Sequence, residues 1–168
     1  MILDWAMFVK ICIVMQNFTL SWSTLVELVG IIFIASNLSS AQFAVAHEVM
    51  HKPGKFYRYL ATLHMLKLCY THFTYHHLYR HHQQVATPAD PSTARKGETV
   101  YQFIVRCISG SWRGVYEDER RAGKKIIENY AVLSLAASFL FVLGVLLVFG
   151  LKSMLVHLAI AAGAIIYL

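Results

Sequence analysis

Residues 130–151 contain no charged side chain, and this run restricts the possible folds more than any other feature. About 20 apolar residues in a helix match the hydrocarbon thickness of a bilayer. The whole chain agrees: 57% of its 168 residues are hydrophobic and 14% are charged, where soluble domains have about 25% charged residues. Mean hydropathy is +0.52. These values exclude a soluble single-core domain, a disordered chain, a coiled coil and a disulfide scaffold, and they predict a membrane protein.

Hydrophobic periodicity predicts an all-α, polytopic transmembrane helical bundle. We expect a short first helix, a long spanning helix, a further helix leading into histidines, a basic amphipathic helix along the membrane surface, a clear transmembrane helix and the start of another. Their predicted ranges are 2–15, 22–51, 55–82, 98–123, 130–150 and 153–168. Two prolines make residues 87–91 a rigid loop.

The whole chain, residues 1–168, is expected to form one membrane-embedded domain. Within it, residues 1–51 are transmembrane helices ending in a first histidine group. Residues 52–128 form a cytoplasmic-side segment with the second histidine group and an interfacial helix, and residues 129–168 form an incomplete transmembrane helical hairpin. Of the 15 Lys and Arg, 13 lie between Lys52 and Lys125, with five acids and a net charge of +8. This excess favours a cytoplasmic face over a nucleic-acid site. The three cysteines, with no metal-type spacing, are expected to be reduced.

Two groups of histidines carry the predicted chemistry. Side chains four residues apart on a helix lie about 40° apart, so both can reach one metal ion. His47 and His51 form one such pair, and His77 and His81 form another. In an unbroken helix His82 lies about 100° from His81, which suits two metal ions or a frayed helix end. Imidazoles crowded at a membrane boundary cost free energy unless something binds them.

The other histidines carry less weight. His64 and His157 stand alone on apolar faces and are expected to be packed side chains. His72 and His76 are also four residues apart, but on a different face from His77, and we rank them below the five predicted ligands.

Three functions remain open from the residues alone. His47-Glu48-Val49-Met50-His51 matches the pattern of membrane-embedded zinc proteases, where Glu48 is the general base for a zinc-bound water. That function leaves His77, His81 and His82 unused. A non-enzymatic metal-binding or transport protein is a second alternative. An iron centre with open positions for O₂ uses both histidine groups.

At this point the sequence resembles the integral-membrane alkane monooxygenases of the fatty-acid desaturase and hydroxylase superfamily. The resemblance covers residues 46–121 and rests on a series of motifs that follow one another along the chain. They are His47-Glu48-Val49-Met50-His51-Lys52-Pro53, His72-Phe73, His77-Leu78-Tyr79-Arg80-His81-His82, Val85-Ala86-Thr87-Pro88-Ala89-Asp90-Pro91, Gly97-Glu98 and Gly110-Ser111-Trp112-Arg113.

The resemblance implies O₂-dependent terminal hydroxylation of alkanes or of alkyl or acyl chains. It implies two non-haem iron ions, with His47, His51, His77, His81 and His82 as ligands and O₂ as co-substrate. It places the centre on the cytoplasmic side of a multi-pass protein in the lipid bilayer. It also implies a rubredoxin-type electron donor, which charge alone would direct to Arg106, Arg113, Arg120 and Lys124.

The sequence departs from the family pattern at two points. Relatives carry further histidines downstream, in an N-Y-x-x-H-Y-G segment and an H-x-x-H-H box, which this sequence lacks. We therefore expect the chain to be a fragment that is inactive alone. The second departure is His76, where relatives usually have Glu beside the ligand histidine.

Overall fold

The computed structural model describes residues 2–167, and over this range it consists of helices and turns with no β-strand. Met1 and Leu168, the ends of the first and last predicted apolar segments, lie outside the described residues. The all-α prediction is confirmed. The elements are α1 (Ile2–Gln16), α2 (Trp22–Met50), α3 (Lys55–Lys67), α4 (Phe73–His76), a π-helical turn (His77–His81), α5 (His82–Gln84), α6 (Val100–Arg121), a 3₁₀ turn (Ile126–Glu128), α7 (Tyr130–Phe149) and α8 (Leu151–Ile166).

The predicted apolar helices have the expected boundaries to within two residues. Helix α2 starts where Ser21 and Thr24 each bond the other's backbone N–H, a reciprocal cap that satisfies two otherwise unpaired donors. Helices α2 and α7 are each long and apolar enough to cross a membrane, and α8 is a shorter apolar helix.

The prediction of one continuous helix over residues 55–82 is wrong. Helix α3 ends at Lys67, and Cys69 has a φ of +55°, in the left-handed region. A residue in that conformation cannot continue a right-handed helix. The chain turns at residues 68–72 and begins again as α4 at Phe73. The apolar spacing runs unbroken through this turn, so periodicity alone does not reveal the interruption.

The chain groups into two units, residues 1–69 with 139–168 and residues 70–138. The first unit holds α1, α2, α3, the end of α7 and α8. Its core contains a buried ion pair, in which Lys67 donates to Asp4 and also to Ser39 at 3.2 Å. His64 and His157 are buried in this unit, as expected for packed side chains.

The second unit is organised by α6, which is continuous from Val100 to Arg121. The buried side of α6 includes two small residues, Ser111 and Gly114, together with Val115. Tyr101 and Val105, on the predicted apolar face, remain exposed. A Cβ on Gly110 would lie 2.7 Å from Cβ of Pro91, so the glycine lets the loop before α6 approach the helix closely.

Candidate metal centre

The first histidine pair lies in the last turn of α2. His47 is half-buried and His51, the residue that caps the helix, is exposed. Their ring centroids lie 4.9 Å apart, so helical spacing brings the two imidazoles together as predicted. Glu48, the general base of the protease alternative, is exposed between them. Pro53 and Gly54 then end the segment, and Gly54 has a φ of +112°.

The second group is formed by a π-helical turn from His77 to His81. In an α-helix, side chains five residues apart point about 140° away from each other. In a π turn the backbone hydrogen bond joins residue i to residue i+5, which brings the side chains of these two residues to the same side of the helix. In this turn the Nε2 atoms of His77 and His82 lie 2.9 Å apart, and one donates a hydrogen bond to the other. The rings of His77 and His81 are stacked at 5.2 Å. The segment is therefore not the unbroken helix in which His82 was expected to lie about 100° from His81.

His81 is held from its other side by a carboxylate. Its Nδ1 lies 2.8 Å from Oδ2 of Asp90, whose side chain is fully buried. A histidine that donates Nδ1–H to an acceptor keeps the lone pair of Nε2 for a metal ion. Sequence reasoning gave Asp90 no role. Two signals were present in the sequence: the acid lies between Pro88 and Pro91, nine residues after His81, and it belongs to one of the motifs that carry the family resemblance.

The loop that carries Asp90 is closed by its own side chains. Ser92 N–H donates to Asp90 Oδ1 at 3.0 Å, and the Thr93 hydroxyl donates to Asp90 Oδ2 at 2.6 Å. Thr93 in turn accepts from Ala86 N–H at 2.9 Å, across the loop. Burial would raise the pKa of Asp90, but these hydrogen bonds and His81 together lower it below its usual value. Asp90 is therefore ionised.

Arg106 attaches this loop to α6. Its guanidinium makes two bonds of 2.6 Å to the Glu98 carboxylate and donates to the carbonyl oxygens of Pro91 and Thr93 at 2.8 and 3.0 Å. These hydrogen bonds lower the pKa of Glu98 to about 2. Arg106, one of the four residues expected to dock an acidic donor, is thus used within the fold. Lys124 likewise pairs with Glu119, while Arg113 and Arg120 are exposed.

His72 and His76 have partners of their own. Nε2 of His72 lies 3.2 Å from the Ser111 hydroxyl, and Nε2 of His76 lies 3.0 Å from the Ser92 hydroxyl. Burial lowers the pKa of each imidazole to about 4. Both are neutral, buried histidines with hydroxyl partners.

The donor set of the π turn fits a metal ion. Two nitrogens bound to one ion at right angles, each by a bond of about 2.1 Å, lie about 3.0 Å apart. The His77 and His82 Nε2 atoms have nearly this separation. Neutral imidazoles suit iron, zinc and copper, so the donors fit the implied iron without selecting it. In each histidine group the side chains are close enough for two imidazoles to share an ion.

Over the described residues, an all-helical fold with two apolar helices of membrane-spanning length and two groups of clustered histidines is consistent with a membrane protein that can bind a metal ion. Similarity to known proteins defines the family. Residues 20–168 match the family model described as fatty acid desaturase, and the chain belongs to that family.

Curated relatives share the name alkane 1-monooxygenase. The chain is 39% identical over 84 residues to the protein of Acinetobacter baylyi, covering 48% of this chain and 21% of the relative. It is 34% identical over 108 residues to the protein of Pseudomonas putida, covering 64% and 26%. It is 29% identical over 135 residues to alkane 1-monooxygenase 2 of Pseudomonas aeruginosa, covering 77% and 36%. The chain thus spans about a fifth to a third of the length of these relatives.

Proposed function

We propose that this chain is part of a membrane non-haem di-iron monooxygenase that hydroxylates the terminal carbon of alkanes or of alkyl or acyl chains with O₂. The observation that carries the proposal is the pairing of His77 and His82 across a π-helical turn. Such turns are rare and frequently occur at functional sites. Membership of the desaturase family and relatives named alkane 1-monooxygenase supply the reaction class.

The proposed ligands for iron are His47, His51, His77, His81 and His82. Bound iron would supply the activation of O₂ that neutral side chains cannot perform. The chain's own contribution is to hold the imidazoles of the π turn at a short separation. His77 is buried and its ring is stacked against that of Phe73, with the centroids 5.1 Å apart, which restricts the orientation of the imidazole.

The proposed arrangement in the membrane is multi-pass, with one membrane-embedded domain over residues 1–168. Helices α2 and α7 are the proposed spans, and α8 is a further apolar helix. The positive-inside bias of residues 52–125 directs the histidine groups to the cytoplasmic side. An alkyl substrate dissolved in lipid would reach such a centre from the bilayer.

The proposed electron donor is an acidic protein of the rubredoxin type. Because Arg106 and Lys124 pair with Glu98 and Glu119, the docking surface reduces to Arg113 and Arg120 on α6. Exposed charges of this kind act mainly through the association rate, so electron transfer from the donor should slow steeply as ionic strength rises.

The test of the proposed function uses the protein produced from its complete reading frame, in membranes, with a reduced donor and an alkane under ¹⁸O₂. The expected result is a 1-alkanol carrying one ¹⁸O atom, with product falling to background in His81→Ala. The control is His72→Gln, which keeps an amide partner for Ser111 and is expected to retain activity.

Two other outcomes would overturn the proposal. Peptide hydrolysis that is lost in Glu48→Gln but kept in His81→Ala would establish a zinc protease. Metal flux across vesicles without O₂ consumption would establish a transporter.

A further inference from the structure

Asp90 is a buried carboxylate that bonds both its own loop and a histidine of the π turn. Burial of an ionised carboxylate is costly unless the charge is compensated. Its backbone contact, from Ser92 N–H, closes a turn that the neutral side chain of asparagine also closes. The Thr93 hydroxyl also donates to Oδ2, at 2.6 Å, within the same loop. The remaining contact, to His81 Nδ1 at 2.8 Å, connects the charge to the histidines of the π turn.

We propose that Asp90 is a positioning residue of the metal centre, which holds His81 as the Nδ1–H tautomer and so leaves its Nε2 lone pair for a metal ion. The inference rests on the proposed function, because that function gives His81 a metal to bind. It adds a residue that contacts neither the metal ion nor the substrate and acts through His81.

His81, rather than His76, is the partner that Asp90 orients. Nε2 of His76 lies 3.8 Å from Asp90 Oδ1, beyond hydrogen-bond distance, and is already bonded to the Ser92 hydroxyl. The Nδ1 of His81 is within 2.8 Å of Oδ2. A carboxylate that accepts a hydrogen bond from Nδ1–H also transfers partial negative charge to the imidazole ring. This makes the lone pair of Nε2 a stronger ligand for a metal ion.

The first experiment measures the tautomer directly in the metal-free chain. Histidine is labelled with ¹⁵N, the His81 signals are assigned by their loss in His81→Gln, and spectra are recorded at a pH where imidazole is neutral. The expected result for the wild type is Nδ1 protonated and Nε2 unprotonated. In Asp90→Asn, whose amide can donate to Nδ1, signals of the second tautomer should appear.

Thr93→Val is the matched control. It removes the 2.6 Å hydrogen bond from the Thr93 hydroxyl to Asp90 and loosens the same loop, but it leaves the carboxylate in place. The tautomer of His81 should stay unchanged in this variant. If the second tautomer of His81 were as abundant in Thr93→Val as in Asp90→Asn, the proposal would be overturned. Loosening of the loop would then explain the change of tautomer in both variants. Wild-type His81 protonated at Nε2 would also overturn it.

The second experiment measures Co²⁺ affinity of the same three proteins. Loss of a carboxylate behind a ligating histidine typically weakens metal binding about 10–100-fold. We expect that loss in Asp90→Asn, and affinity within about twofold of wild type in Thr93→Val. Equal affinity in the wild type and Asp90→Asn would overturn the role of Asp90. A wild-type chain that binds no metal would instead contradict the proposed function, and the tautomer measurement would still decide what Asp90 does.

Discussion

The Nε2 atoms of His77 and His82 lie 2.9 Å apart, although five residues separate them in sequence. An α-helix would turn these side chains about 140° away from each other. The π-helical turn over residues 77–81 removes that difference and also leaves His81 in ring contact with His77. One local change in helical winding therefore gathers three imidazoles that a regular helix would spread over two faces.

Arg106→Lys should loosen the loop that carries Asp90. Lysine keeps the positive charge but cannot bond the Glu98 carboxylate with two parallel N–H groups while also donating to the carbonyls of Pro91 and Thr93. We expect amide hydrogen exchange over residues 92–98 to become roughly fivefold faster or more. The exposed Arg113→Lys on the same helix should leave exchange there unchanged. Equal protection in both variants would show that Arg106 does not fix the loop.

Gly110→Ala should destabilise the second unit. The new methyl group would lie 2.7 Å from Cβ of Pro91, and a proline ring cannot rotate away. We expect a loss of about 1–3 kcal/mol in free energy of unfolding. The control is Gly144→Ala in α7, where the added Cβ meets no atom within 4 Å. That change should be neutral or stabilising, since alanine favours helix. A Gly110→Ala protein as stable as Gly144→Ala would contradict the close approach of loop and helix.

Lys67→Met should be strongly destabilising, because it leaves the buried Asp4 carboxylate without its cation. Removal of one partner of a buried ion pair typically costs about 3–5 kcal/mol. The double variant Asp4→Asn with Lys67→Met removes the stranded charge and should recover most of that loss. The measurement is a double-mutant cycle by thermal or denaturant unfolding in detergent. Additive effects of the two substitutions would show that the side chains do not interact.

Stability should fall as pH is lowered from about 6.5 to 4. Burial lowers the pKa of His72 to about 4, so the unfolded chain binds the proton more readily than the folded one over this window. The stabilising contribution is complete above the unfolded pKa of about 6.5 and is lost as pH approaches the folded pKa. We expect the thermal midpoint to drop by roughly 5 °C across the window. The His72→Gln variant should show a smaller drop. An identical pH profile in both proteins would contradict the burial of a neutral His72.

The sequence predicted the elements whose signals are local and repeated. Apolar runs located α2 and α7, and the spacing of His47 and His51 correctly predicted an imidazole pair in one helical turn. The prolines of residues 87–91 correctly predicted a loop. Helical periodicity carries this information because side chains three or four residues apart share a face whatever the surrounding fold.

The missed features depend on contacts that periodicity does not encode. The turn at Cys69 interrupts an apolar stripe that continues on both sides of it. A π turn has about one more residue per turn than an α-helix. The spacing of His77, His81 and His82 fits a π turn and also fits a regular helix with histidines on two faces, so it does not distinguish the two. Asp90 and Arg106 acquire their roles only when the loop closes. The partner of Asp90, His81, is 9 residues away along the chain, and the partner of Arg106, Pro91, is 15 residues away.

The most direct test of the central claim is the iron content of the purified chain after anaerobic loading with Fe²⁺ and removal of excess metal. The account predicts bound iron in the wild type and in His72→Gln, and a loss of about tenfold or more in Fe²⁺ affinity in His77→Ala and in His82→Ala. A wild-type chain without iron, or His77→Ala and His82→Ala proteins that bind it as tightly as the wild type, would contradict the assignment of these histidines as ligands.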